Sequence, residues 1–101
     1  MEQEGVVTIR LEVEAPHKTG RKTRRKLHAA DKCVLTLYGG GKPPQTLAVD
    51  RALLERAEAT AEFYAEPIEL VIEGVATRAE ARAIQRHPYR ARIVHVDLIR
   101  I

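Results

Sequence analysis

Aromatic residues are scarce: Tyr38, Phe63, Tyr64 and Tyr89 make up 4% of the 101 residues, and tryptophan is absent. Sheets that bind single strands need aromatic platforms on which bases stack, and only Tyr38 falls at an exposed strand position, which disfavours that mode of reading. A single cysteine, Cys33, excludes an intramolecular disulfide framework and any multi-cysteine zinc site. It sits in an apolar strand pattern, where a small buried thiol is expected. No long apolar run, signal-peptide core or lipidation motif occurs, so no membrane partner is expected and a soluble, cytoplasmic protein is. No internal repeat is visible.

Catalytic and cofactor patterns are equally thin. Gly39-Gly40-Gly41-Lys42 lacks the upstream glycine and the following Ser/Thr of a phosphate-binding loop, since position 36 is threonine and position 43 proline. The metal-dependent nuclease element Glu-x-Lys does not occur. Glu55, Glu58, Glu62 and Glu66 form an acidic stripe, but no predicted helix carries the Glu-x-x-His element of a di-metal bundle. The stripe reads as a solvated face, or as a surface for the basic segment of a neighbouring copy. His28, Asp31 and Cys33 lie close together in spacing that matches no metal motif. His95 and Asp97 share a strand face without a recognisable nucleophile, and an active site needs several convergent groups. The expectation is a non-enzymatic protein with no cofactor and no metal.

What is present in abundance is local positive charge. Pro16 to Lys32 reads PHKTGRKTRRKLHAADK, and Lys18, Arg21, Lys22, Arg24, Arg25 and Lys26 place six cations in nine residues. No acid falls between Pro16 and Ala30. The whole chain carries +3; without these six, 11 Lys+Arg remain against 14 Asp+Glu, a balance of −3. Basic character is therefore a local device. Such a segment suits phosphate contact, in which Lys and Arg release condensed counterions without reading sequence. In composition it resembles the internal basic extensions of ribosomal proteins, and the resemblance covers the basic segment alone.

Around it, apolar periodicity predicts the body. Val7, Ile9, Leu11 and Val13 alternate with polar residues, as do Cys33, Leu35 and Leu37, so both runs are expected as strands with one buried face. Their pairing as an antiparallel hairpin would make residues 16–32 a projecting arm at its tip, mobile when unbound. Thr46 to Val49 is a short edge strand. Asp50 is a helix N-cap, with the helix running from Arg51 to Glu66 and stopped by Pro67. Ile68, Leu70 and Ile72 predict a strand ending at Gly74. Thr77 to Glu80 fits a capping box that would start a second helix, closed by His87-Pro88. Ala91 to Ile101 is apolar on both faces, hence central in the sheet or covered by a partner.

The order strand–arm–strand–(strand)–helix–strand–helix–strand predicts one α+β domain over 1–101. Its architecture would be a two-layer sandwich of a largely antiparallel sheet with two helices on one face. The expected function is nucleic-acid binding, to RNA or duplex DNA, through phosphate contacts of the arm. The alternative is a structural subunit of an oligomer or larger particle, its arm docked on acidic protein.

Overall fold

The computed structural model describes residues 9–16, 20–90 and 92–101. Period-two runs become strands where they bury their apolar members. These are β1 (Ile9–Val13), β2 (Lys32–Gly39), β3 (Lys42–Asp50), β4 (Ile68–Ile72), β5 (Val75–Arg86) and β6 (Ile93–Arg100). Three helices join them: α1 (Arg21–Ala29), α2 (Arg51–Glu58) and the single turn α3 (Glu62–Ala65). The strands form one sheet in the order β1-β4-β5-β6-β2-β3. This sheet curls, because Glu14 and Ala48 exchange backbone hydrogen bonds of 2.8 and 2.9 Å that draw β1 back towards β3. Inside the curl lie Leu35, Leu37, Leu47, Ile68 and Leu70, all fully buried, capped by Leu54 of α2 and Phe63 of α3.

The α+β class is as expected, but the pairing differs. β1 does not pair with β2; it runs parallel to β4, while β2 is antiparallel to β3 and parallel to β6. Alternation reports which face of a strand is buried and carries no information on its neighbour. With two parallel pairings and three antiparallel ones, the sheet is mixed. β6 lies between β5 and β2, so its two-faced apolar pattern comes from an interior position and calls for no partner copy. β2 instead makes its hairpin with β3, turned by Gly39-Gly40-Gly41. Gly39 has φ +90°, and a Cβ there would stand 2.8 Å from Ile99 Cγ1, so only glycine fits.

Two helix expectations need correction. Asp50 caps α2 as expected, with Ala52 N donating to its carboxylate at 3.3 Å. The helix stops at Glu58, where Thr60 Oγ1 donates back to Ala57 O at 2.7 Å and competes with the helical ladder. After this break α3 turns Phe63 into the core. Residues 77–87 belong to β5, not to a helix. Glu73 (φ 50°) and Gly74 (φ 82°) make a two-residue turn closing Ile72 against Val75. Pairing with β4 and β6 on both sides then overrides the local helix propensity of Ala76, Ala79, Ala81 and Ala83.

Cys33 is completely buried, and its thiol donates to Ile93 O at 3.0 Å. Burial pushes its pKa up from 9.0 to about 11, against the smaller opposing pull of Arg51. A raised folded-state value means that the native chain holds the thiol proton more tightly than the unfolded chain. The resulting stability is present in full below pH 9 and is lost as pH rises through about 11. Alkylation of Cys33 at pH 8 is expected to proceed only as fast as the chain unfolds. An excess of reagent that labels the native protein at the rate of a free thiol would contradict this.

Candidate nucleic-acid interface

Most of the basic segment is an ordered helix and not a structureless arm. α1 presents Thr23 and Leu27, one turn apart, to the sheet, and Arg21, Lys22, Arg24, Arg25 and Lys26 are exposed. None of these five cations pairs with an acid among the described residues. Lys18 lies outside the described residues. A helix forms because this stretch of good helix formers contains no β-branched residue except Thr23 and can seat Thr23 and Leu27 against the sheet beside Val34. It begins at Gly20 (φ 124°), with no side-chain cap and no acid in its first turn.

The far end of α1 is fastened. Asp31 adopts φ 60° at the junction with β2, and its Oδ1 accepts from Arg51 Nε at 3.0 Å and Arg92 Nη2 at 3.1 Å. Arg51 is 6% exposed, a depth at which an arginine requires partners. It has them: beside Asp31, its Nη1 donates to Ile93 O at 3.4 Å, and its backbone N–H donates to Asp31 O at 3.0 Å. The helix is thus tied to α2 and to the start of β6.

α1 packs on the outer face of the sheet, opposite the side that α2 and α3 cap, so the helices do not share one face. Between α1 and the sheet is a cleft of about 300 Å³ whose polar lining is Thr23 and Arg24 from the helix and Thr36, Thr46 and His95 from the strands. His95 Nε2 is 2.8 Å from Thr36 Oγ1, and its Nδ1 is 3.3 Å from Asp97 Oδ1. In the neutral ring protonated at Nδ1, which faces Asp97, Nε2 accepts from the hydroxyl of Thr36. The cleft offers hydroxyls, an oriented imidazole and a guanidinium to a polar ligand. His95 and Asp97 were legible as a pair; Thr36 completes it only because β2 and β6 lie side by side.

Other sequence candidates are not brought together. Asp31 serves the two arginines, Cys33 is buried, and His28 is exposed. No group of three or more His, Cys, Asp or Glu side chains is placed to hold a metal among the described residues. The acidic stripe is partly used inside the molecule. Glu55 accepts from Ile93 N at 3.2 Å, and Glu58 accepts from Arg86 at 2.7 Å and from the Tyr64 hydroxyl at 2.9 Å. No helix among the described residues is long and apolar enough to cross a membrane.

A second basic segment escaped the sequence reading. Residues 81–96 contain Arg82, Arg86, Arg90 and Arg92 and no acid. The signal was present as charge, but a helix assigned to 77–87 concealed that these residues form one β-hairpin. Compared with known families, residues 11–98 match the one described as the Ribosomal L25p family, a span that includes α1, the cleft and this hairpin.

Proposed function

Because the chain belongs to the Ribosomal L25p family, a family of structural ribosomal proteins and not of enzymes, we propose that it binds folded RNA within the ribosome through the outer face built by α1 and the β2–β6 strands. Family membership implies RNA as the partner, in place of the duplex DNA also entertained from charge alone. The observation that carries the proposed site is the row of exposed cations on α1, without acidic partners among the described residues, standing beside an open polar sheet face. Arg21, Lys22, Arg24, Arg25 and Lys26, together with Lys18, contact phosphates; Thr36, Thr46 and His95 meet hydroxyls and base edges at the cleft. Binding a particle built around RNA also accommodates the assembly-subunit alternative, with RNA and not acidic protein as what the basic segment grips.

A 2′-hydroxyl donates and accepts hydrogen bonds, which is what the Thr36–His95 pair can answer. Folded ribosomal RNA should therefore bind more tightly than duplex DNA of the same length, with equal binding of the two counting against the cleft. His95→Ala is expected to weaken RNA binding about three- to tenfold, the range for one or two hydrogen bonds, without altering the dependence on salt. A changed salt dependence with unchanged affinity for RNA over DNA would assign His95 a different role.

A further inference from the structure

The β5–β6 hairpin ends in His87-Pro88-Tyr89-Arg90, where Tyr89 is 92% exposed, the most exposed of the large apolar side chains described. A lone exposed apolar residue is ordinary on a protein surface. Two features distinguish this one. The tip is held in a defined shape, with His87 N donating to Arg92 O at 2.9 Å, Tyr89 N to His87 Nδ1 at 3.1 Å, and Arg92 itself bridged to Asp31. The hairpin segment is also basic in its own sequence: residues 81–96 contain no acid, although Arg86 and Arg92 are paired by Glu58 and Asp31 from outside it. Arg82 and Arg90 are exposed and have no acidic partner among the described residues.

We propose that Tyr89 is a stacking platform for an unpaired base of the bound RNA, with the adjacent Arg90 holding a neighbouring phosphate. The argument is one of charge and entropy. An aromatic ring pre-set on an ordered turn loses little conformational freedom on contact, and every base offers a π-face. The adjacent Arg90, exposed and without an acidic partner among the described residues, favours a polyanion as the occupant. Through Arg92 and Asp31 the tip is joined to the end of α1, the helix that carries the exposed cations. This inference rests on the RNA-binding reading and adds to it a site for a base outside the duplex.

Two probes test it: an RNA hairpin with a single bulged 2-aminopurine, and a fully paired hairpin of equal length. Tyr89→Ala should bind the bulged hairpin about tenfold more weakly than the native chain and the paired one equally well. The salt dependence should stay unchanged, because stacking releases no counterions. Quenching of the 2-aminopurine by the native chain should be kept by Tyr89→Phe and lost with Tyr89→Ala. A side chain this exposed leaves thermal stability unaltered, so misfolding does not confuse the result. If Tyr89→Ala binds both hairpins as the native chain does, while neutralising α1 abolishes binding, the stacking inference fails and RNA binding stands. Unchanged RNA binding by Tyr89→Ala with weakened incorporation into ribosomes would give the ring to a protein neighbour and overturn the inference. If the native chain binds neither hairpin and no ribosomal RNA, both readings fall.

Discussion

Replacing Arg21, Lys22, Arg24, Arg25 and Lys26 together by glutamine is expected to lower affinity for folded ribosomal RNA by about a hundredfold or more at physiological salt. The plot of log K against log salt should flatten by roughly 3 to 4 units, since each neutralised phosphate contributes somewhat under one. Glutamine is chosen because it propagates a helix about as well as lysine, so the substitution removes charge while keeping α1. Thr23 and Leu27, which seat the helix, and Asp31, which fastens its end, are untouched. Far-UV circular dichroism should therefore be unchanged. A slope that moves by less than one unit would mean that phosphates are met elsewhere on the molecule. Lys18→Gln, made separately, should account for at most one contact.

Phe63→Ala carries the largest expected effect on stability, about 3–5 kcal/mol. Phe63 is 1% exposed and is the largest fully buried side chain among the described residues. It is delivered into the curl of the sheet by a helix of a single turn, so little around it can collapse to fill the void. For a chain of this size that loss is a large part of the total and should lower the Tm by roughly 15 °C or more. The adjacent Tyr64 is 58% exposed; its hydroxyl donates to Glu58 and its ring meets Phe63 edge-on at 5.1 Å. Tyr64→Ala should cost under about 1 kcal/mol by urea denaturation. Comparable losses for the two variants would show that α3 is not what closes the core.

Much of the local structure was readable before any tertiary contact. The alternation of Cys33, Leu35 and Leu37 against Val34, Thr36 and Tyr38 assigned the two faces of β2 correctly. Asp50 announced the start of α2, and the pattern from Ile68 to Ile72 announced β4. Where the reading failed, the failures have named causes. Alanines at 76, 79, 81 and 83 are equally at home in either period, and an irregularity in pairing between Ala81 and Ala83 breaks the alternation that would have marked β5. The helix in the basic segment is not legible locally, because it is seated by Thr23 and Leu27 against a sheet face assembled from β2, β3 and β6.

The sequence alone determined which faces of β1, β2 and β4 are inside and that charge is concentrated between residues 18 and 26, whereas its helical spacing places Leu53, Ala61 and Tyr64 on a buried face and the structure leaves them exposed. Strand faces and local charge are properties of composition and of short-range periodicity, which survive in one dimension. Tertiary structure decided which strands are neighbours, and with that everything about the site. Parallel pairing of β2 with β6 sets Thr36 beside His95 across 59 positions of chain, and the bridge from Arg92 to Asp31 spans 61. Such contacts depend on strand order, and strand order is settled by burying all the apolar faces at once. No local window of residues contains that sum.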